Sequence, residues 1–316
     1  MTTRTLETVI AGALLGTFAG DALGREWEGA PAVSAAKGRD RLRRSLRSDQ
    51  LVYTDDTQLA LALAEHLCAH PQVKPALLAE TFVEHYESWR GYGAGMHGLV
   101  EEWRRGASVD EAATAIFPDG SFGNGAAMRV APVGALWADE PATLDEVARR
   151  QAGVTHAHRL GLDAAAVQAQ AVGLAARHGD FGRAELTELG AVAREPELRE
   201  RLQEAEELAA AWASDGPPGL PRVAEQLGHD VTGPGSVPAA CWIAAVGDDL
   251  EEAMALALGL GGDADTIAAM AGAVLGAAAT RVGIPESWSA RFENGPGGRD
   301  YALDLVSRLA ASRSGG

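Results

Sequence analysis

Helical periodicity is the feature of this sequence that most constrains its fold. Apolar residues recur every three or four positions through most of the chain, and no alternating stretch typical of a β-strand is longer than four residues. The pattern predicts helices near residues 6–20, 56–69, 75–90, 95–105, 108–116, 124–137, 143–152, 160–178, 184–194, 197–214, 236–246, 249–260, 265–281 and 299–312. We therefore expect an all-α fold. No change in composition divides the chain, which favours one domain over residues 1–316 with its core at about 6–312.

Two acidic clusters stand where polar segments meet apolar helical ones. Residues 261–266 read Gly-Gly-Asp-Ala-Asp-Thr, and residues 53–57 read Tyr-Thr-Asp-Asp-Thr. Carboxylates beside a buried helix are costly unless a positive group pairs with them, and neither cluster contains Lys or Arg. Carboxylate and hydroxyl oxygens are the ligands that hard divalent cations prefer. The clusters predict a shared metal site.

Helix capping is the alternative explanation of the two acidic clusters. Asp and Thr are favoured N-cap residues, so one of them at each helix start needs no metal. A cap uses only one acid, however, and the second acid of each cluster is then unexplained.

The composition narrows the partners and the compartment. A net charge of −17 opposes binding to nucleic acid or anionic membranes, because both require a cationic surface. No uninterrupted apolar run reaches the roughly 18 residues of a membrane-spanning helix. Cys68 and Cys241 lie in apolar helical segments and fit neither a disulfide framework nor a zinc motif. We expect a cytoplasmic protein.

Residues 39–47 form the one strongly cationic stretch, with five arginines. Most charge runs are solvated, which predicts an exposed loop or short helix near the acidic site. The alternative interpretation is an element that steers anions to the mouth of a cleft.

Three further segments are too rich in glycine and polar groups to be ordinary connections. They are residues 20–28, 119–125 and 155–158. Glycines allow close backbone approach, and N–H groups at the start of the helix from Ala126 are suited to a phosphate. Of His156 and His158, one is a candidate ligand-binding group and the other a cap or a solvent-facing side chain.

Five segments, in this order, resemble the motifs of the ADP-ribosylglycohydrolases. They are Gly20-Asp21-Ala22-Leu23-Gly24, Thr54-Asp55-Asp56-Thr57, Gly120-Ser121-Phe122-Gly123-Asn124-Gly125, Thr155-His156 and Gly261-Gly262-Asp263-Ala264-Asp265-Thr266. The resemblance runs from about Ile10 to Ala277. It implies a compact single-domain orthogonal helical bundle with two Mg²⁺ or Mn²⁺ ions at the base of a cleft.

The resemblance also implies the ligands of the two metal ions. Carried over by position, they are Thr54, Asp55, Asp56, Asp263, Asp265 and Thr266, with Asp55 and Asp56 also catalytic. In an extended turn residues i and i+2 project to the same side, so we expect Asp263 and Asp265 to converge while Ala264 points away. Many relatives carry Thr at the Ala264 position, a difference that we expect to be tolerated.

Glu28 occupies the place of the family's mobile-loop glutamate, eight residues after Gly20. The resemblance implies that it performs the acid/base step, by protonating or positioning the leaving group. Glu26 is the competing candidate, since both residues flank Trp27.

Within the family, the chain is most similar to the branch that acts on serine-linked ADP-ribose, poly(ADP-ribose) and O-acetyl-ADP-ribose. Residues 90–95 and 123–130 look like the glycine loops of that branch. The implied substrate-binding residues are Gly93, Phe117, Gly120, Ser121, Phe122, Gly123, Asn124, Gly125 and His156.

Adenine would lie between two aromatic rings of this set. Phe122 stands where a Tyr is usual, and Phe117 is implied on the second face, although the spacing is one residue shorter here. Core packing is the alternative for Phe117. The matched His156 would contact the diphosphate–ribose region, whereas His158 is not carried over.

The implied activity is metal-dependent hydrolysis of the bond between the distal ribose of ADP-ribose and an acceptor, with release of ADP-ribose. The acceptor is a protein serine, poly(ADP-ribose) or the acetyl group of O-acetyl-ADP-ribose, and an arginine-specific hydrolase is the alternative. A non-catalytic, crystallin-like relative is disfavoured because all six ligand positions are intact. A metal-dependent phosphohydrolase would need a cationic clamp that the sequence does not show. We expect a monomer.

Overall fold

Eighteen helices and one 3₁₀ turn make up the computed structural model over the residues that it describes, 5–215, 219–278 and 283–314. They are α1 (Leu6–Gly24), the 3₁₀ turn (Arg25–Trp27), α2 (Ala35–Ser45), α3 (Asp55–Ala69), α4 (Pro75–His85), α5 (Ala94–Arg104), α6 (Val109–Ile116), α7 (Gly125–Met128), α8 (Ala131–Leu136), α9 (Pro141–Ala152), α10 (Arg159–His178), α11 (Arg183–Val192), α12 (Pro196–Asp215), α13 (Leu220–Leu227), α14 (Gly233–Val246), α15 (Leu250–Leu260), α16 (Ala264–Ala278), α17 (Glu286–Ser289) and α18 (Arg299–Ser314). These residues contain isolated β-bridges but no strand. The all-α prediction is confirmed.

The periodicity did not predict three helices, and one predicted helix is two. The three are α13, α17 and α2, of which α2 covers part of the stretch expected as an exposed loop or short helix. The predicted helix over 124–137 breaks after Met128, and α8 restarts with Pro132 in its first turn, where the missing N–H costs nothing. The predicted end of the 265–281 helix lies outside the described residues.

The centre of the fold is a close contact between α1 and α16. A Cβ atom added at Gly12, Gly16 or Gly20 would come within 2.1 Å of a carbonyl oxygen of α16. Facing residues of α16 include Gly272 and Gly276, which are equally crowded by the α1 backbone. Small residues four positions apart on both helices therefore let the two backbones touch. We call this contact the glycine seam.

The glycine seam ends at the acidic clusters. At the last glycine of α1, Gly24, an added Cβ would lie 2.4 Å from the Cα of Asp265. Asp21, one turn earlier on α1, contacts the start of α3. The seam thus brings α3, which carries the first cluster, and α16, which carries the second, to the same end of α1.

One segment of the described residues, Leu6–Trp27, is by length and composition apolar enough to cross a membrane, and an 18-residue stretch of it has a mean hydropathy of 1.4. The search for uninterrupted apolar runs missed this segment, because a few polar residues interrupt it while its average stays apolar. Of this 18-residue stretch, 67% is buried in the protein, as in a core helix.

The arginine-rich stretch is helix α2 and the turn after it. Arg39 forms an ion pair with Glu252 at 2.7 Å, and Arg41 donates to the carbonyl oxygen of Leu258 at 2.6 Å. Arg44 lies 3.3 Å from Glu26 and stacks over the Trp27 ring. None of residues 39–47 lines the cleft described below, so the structure favours a solvated helix over an anion-steering element.

Candidate active site

A cleft of about 280 Å³ brings together most of the predicted site residues. Those that line it are Glu28, Thr54, Asp55, Asp56, Gly93, Phe117, Ser121, Gly123, Asn124, Gly125, His156, Asp263, Asp265 and Thr266. Gly120 and Phe122 are not among the lining residues. Segments far apart in sequence therefore meet in one place, as the resemblance implied.

Asp21 holds the first acidic cluster in place. Its buried carboxylate accepts hydrogen bonds from the backbone N–H groups of Thr54 (2.8 Å) and Thr57 (3.0 Å). It also accepts from their hydroxyl groups, at 2.8 and 2.6 Å. Asp21 thus caps α3 from another helix, while the N-cap residue Thr54 makes no side-chain cap. Capping therefore does not explain why Asp55 and Asp56 are acidic.

The second cluster begins at two glycines in a conformation that other residues rarely adopt. Gly261 and Gly262 have φ angles of +70° and +65°, and an added Cβ at Gly262 would lie 1.9 Å from the carbonyl oxygen of His229. The chain then enters α16 at Ala264. The predicted extended turn is wrong, because residues 264–266 form the first helical turn. Asp263 and Asp265 still both face the cleft, and buried Ala264 does not line it.

Burial and mutual repulsion shape the electrostatics of the acids. Burial, followed by the charge of Asp21, raises the pKa of Asp55 to about 8. The pKa values of Asp56 and Asp265 are also raised well above normal, first by burial and then by neighbouring carboxylates. Among the described residues, no Lys or Arg forms an ion pair with these acids. Such a site gains stability from any added positive charge.

The donor set is consistent with divalent cations. The Oδ1 atom of Asp56 is buried and has no hydrogen-bond partner, which leaves a lone pair available to a ligand. Carboxylate and hydroxyl oxygens dominate this end of the cleft. No three His, Cys, Asp or Glu side chains of the described residues are arranged to hold a metal ion as they stand. The acids line one cleft, but in this conformation no three of them converge on a single metal position.

The structure separates Glu28 from its competitor. Glu28 lines the cleft, and its pKa is raised by partial burial and by the charge of Asp263. The next residue, Gly29, donates to the carbonyl oxygen of Gly262 at 2.7 Å, which ties the Glu28 loop to the second cluster. Glu26 instead pairs with Arg44 and does not line the cleft.

The glycine loop, residues 119–125, joins the opposite wall of the cleft to the acids. Gly120 has φ +80°, and a Cβ there would lie 2.3 Å from the backbone nitrogen of His158, so its role is to turn the chain. The side chain of Asn124 donates to the Asp263 carboxylate. The N–H groups of Gly123 and Asn124 are bonded to Ser121 and Val231. At the start of α7, the N–H groups of Ala127 and Met128 donate to the carbonyl oxygen of Asn124, whereas those of Gly125 and Ala126 have no acceptor among the described residues.

This combination of elements matches a known family. The family model described as ADP-ribosylglycohydrolase matches residues 2–315 of the chain. The chain belongs to the ADP-ribosylglycohydrolase family. ADP-ribosylhydrolase ARH3 of Danio rerio is 32% identical, with 94% of this chain and 89% of the relative covered. For the protein of the same name from Homo sapiens the identity is 31%, over 89% of this chain and 88% of the relative.

A solved structure supports the same assignment. It is described as an ADP-ribosylglycohydrolase-related protein complex, and it matches with a TM-score of 0.69 at 29% identity. The match covers 98% of this chain and 99% of that chain. Together with the family model, these similarities identify the chain as a glycohydrolase enzyme for ADP-ribosyl groups.

The two aromatic residues predicted for adenine are both partly exposed in this glycohydrolase. Phe117 is 38% exposed and lines the cleft, so its ring is not an ordinary core side chain. Phe122 is 45% exposed and lies just outside the lining, with its ring centre 5.3 Å from that of His158. His158 itself caps α10 by accepting from the N–H of Leu160.

Sequence reasoning missed the apolar wall of the cleft and the residues behind it. The wall consists of Leu59, Met96, Leu99, Met128 and Val231. Apolar positions in helices carry no local sign that they face a cavity rather than the core. Asp21 and Arg129 stood inside the matched motifs, but no role was assigned to them. The signal available in the sequence was a charged residue inside an otherwise apolar or glycine-rich helical motif.

Proposed function

We propose that this enzyme cleaves the glycosidic bond at the anomeric carbon of the distal ribose of ADP-ribose and releases free ADP-ribose. The proposed acceptors are a protein serine, poly(ADP-ribose) and the acetyl group of O-acetyl-ADP-ribose. The relatives named ADP-ribosylhydrolase, each matched over most of its length, support this substrate class. The observation that carries the proposal is the convergence of two acidic clusters, Glu28 and the glycine loop on one cleft.

The reaction is proposed to depend on two Mg²⁺ or Mn²⁺ ions. The residues that would hold them are Thr54, Asp55, Asp56, Asp263, Asp265 and Thr266. When bound, such ions supply positive charge to oxygen atoms of the substrate and lower the pKa of water. The unpartnered oxygen of Asp56 and the absence of ion pairs between these acids and any described Lys or Arg support this proposal.

Glu28 is the proposed acid/base residue. Cleavage of a glycosidic bond passes through an oxocarbenium-like transition state, and a carboxylic acid that protonates the leaving oxygen lowers its energy. The raised pKa of Glu28 increases the fraction of the protonated form near neutral pH. Glu28 lines the cleft together with Asp263, which supports a proton donor at the acidic end, where the bond to the distal ribose would lie.

The glycine loop and the aromatic residues would hold the rest of the substrate. Free N–H groups at Gly125 and Ala126 are suited to phosphate oxygens. The exposed rings of Phe117 and Phe122 lie near the same loop and offer faces for adenine.

A product assay tests the proposal. The enzyme would be given serine-linked, arginine-linked and O-acetyl-linked ADP-ribose side by side, with Mg²⁺, with Mn²⁺ and with excess chelator. We expect free ADP-ribose from the serine-linked and O-acetyl substrates and little in chelator. Preference for the arginine-linked substrate would overturn the acceptor assignment, and full activity in chelator would overturn the metal dependence.

A further inference from the structure

Arg129 is a fully buried cation that no carboxylate neutralises. Among the described residues it takes part in no ion pair, although it is only 1% exposed and lines the cleft. Its guanidinium group is instead held by neutral oxygens. It donates to the side chain of Gln151 at 2.8 Å and to the carbonyl oxygen of Gly125 at 3.1 Å. A buried arginine on neutral acceptors keeps its positive charge available to nearby groups.

The same guanidinium group reaches His156 through one hydroxyl group. Arg129 Nη2 donates to the Oγ1 atom of Thr155 at 2.8 Å, and that oxygen lies 2.6 Å from Nδ1 of His156. Because arginine can only donate, Thr155 must accept from it, which leaves the hydroxyl hydrogen free to point at Nδ1. The positive charge of Arg129 also disfavours a hydrogen on the nearer ring nitrogen. This arrangement favours Nδ1 as the acceptor and Nε2 as the nitrogen that carries the ring hydrogen of neutral His156.

The Nε2 side of the His156 ring faces the glycine loop. Added Cβ atoms at Gly123 and Gly125 would lie 3.4 and 3.3 Å from Nε2, so both glycines leave this nitrogen uncovered. His156 lines the cleft, and Nε2 thus lies beside the free N–H groups at the start of α7. Burial and the charge of Arg129 lower the pKa of His156 to about 3, which keeps the ring neutral at physiological pH.

We propose that Arg129 is a positioning residue: through Thr155 it holds His156 in the tautomer that donates from Nε2 to an oxygen of the substrate. The same side chain fixes the carbonyl oxygen of Gly125, so that the ring and the loop keep one relative position. The chemical class of the oxygen, a phosphate or ribose oxygen of ADP-ribose, rests on the proposed function. The tautomer itself does not.

Nitrogen NMR of ligand-free, ¹⁵N-histidine-labelled protein tests the relay. The two neutral tautomers differ in which ring nitrogen bears the hydrogen, and a His156→Asn variant identifies the signals. We expect Nε2–H in the wild type, a mixture of tautomers in Thr155→Val and the wild-type pattern in Thr155→Ser, which restores the hydroxyl. If Arg129→Met folds, it should also give a mixture of tautomers. If it does not fold, the spectrum of Thr155→Val alone decides whether the relay sets the tautomer of His156.

Calorimetry with ADP-ribose supplies the second measurement. Loss of one well-placed hydrogen bond should weaken binding about 2- to 12-fold in Thr155→Val, with Thr155→Ser within about twofold of the wild type. An Nδ1–H tautomer in the wild type, or an unchanged spectrum in Thr155→Val, would overturn the relay. If the wild type binds no ADP-ribose, the proposed function falls, while the ligand-free spectra still decide the relay.

Discussion

At the scale of single residues, the contacts of a side chain show whether it belongs to the active site better than its position along the chain does. Glu26 and Glu28 are two positions apart, yet one pairs with Arg44 at the surface and the other lines the cleft beside Asp263. The motif match could assign Glu28 to the site, because it aligns Glu28 with a residue that lies in the active site of the family's other members. Nothing local distinguishes the two residues, since both flank Trp27 in a Gly-containing loop.

Glu28→Gln should lower kcat about 100-fold or more, because glutamine cannot protonate a leaving group. ADP-ribose affinity should stay within a few fold of the wild type, since the amide is nearly isosteric. Steady-state kinetics and calorimetry measure the two effects. Glu26→Gln is the matched control and should change neither, because its surface ion pair contributes little. Equal damage from both variants would show that Glu28 is not the acid/base residue.

Phe122→Ala should weaken ADP-ribose binding about 5- to 150-fold if the exposed ring stacks on adenine, since such contacts contribute about 1–3 kcal/mol. Phe122→Tyr keeps the stacking face and should be nearly neutral. The ring is 45% exposed, so its loss should leave the melting temperature almost unchanged. Binding that is unaltered in Phe122→Ala would remove this residue from the adenine site.

At the scale of helices, the periodicity located most elements and failed where a helix buries little. Helix α2 buries only Gly38, Leu42 and Ser45. Since most of its other residues are polar or charged, the sequence shows no apolar repeat that would predict a helix. Proline explains the division of 124–137 into α7 and α8. The glycine seam was also not predicted, because glycines four apart lower helix propensity and their benefit exists only against a partner helix.

Gly16→Ala should destabilise the protein by about 2 kcal/mol or more, because its Cβ would lie 2.0 Å from the carbonyl oxygen of Gly272 and neither backbone can yield. Urea unfolding measures the change. Gly190→Ala is the control within helix α11, where an added Cβ meets nothing within 4 Å. It should be neutral or stabilising by up to about 1 kcal/mol. Similar losses in both variants would show that the seam is not specially close-packed.

At the scale of the whole molecule, the fold concentrates negative charge where segments distant in sequence, the ends of α1, α3 and α16, meet. The sequence showed that two acidic clusters exist and that each begins a helix. It did not show that Asp21 organises the first cluster, because Asp21 lies on α1 and meets Thr54 and Thr57 only in the folded protein. Nor could it show that the acids meet without an ion pair to any described Lys or Arg, because this depends on how the ends of three helices come together.

That unpaired charge makes stability depend on pH and on metal in a defined direction. The pKa of Asp55 rises from 3.8 to about 8 in the folded protein, so the folded state keeps a proton that the unfolded chain has lost. This contribution to stability is complete below about pH 4 and disappears as the pH rises toward 8. We therefore expect Mg²⁺ to raise the melting temperature, relative to protein in chelator, more at pH 8.5 than at pH 5.5.

Differential scanning calorimetry of Asp55→Asn separates this contribution from that of other titrating groups. The neutral amide removes the repulsion among the acids, so in chelator the variant should be more stable than the wild type at pH 8.5 and nearly equal to it at pH 5.5. The same change removes a proposed ligand, so the rise in melting temperature with Mg²⁺ should shrink or vanish. A wild-type protein that responds equally to Mg²⁺ at both pH values would contradict the raised pKa of Asp55. One that does not respond at all would contradict the metal site, because an ion that binds only the folded state must stabilise it.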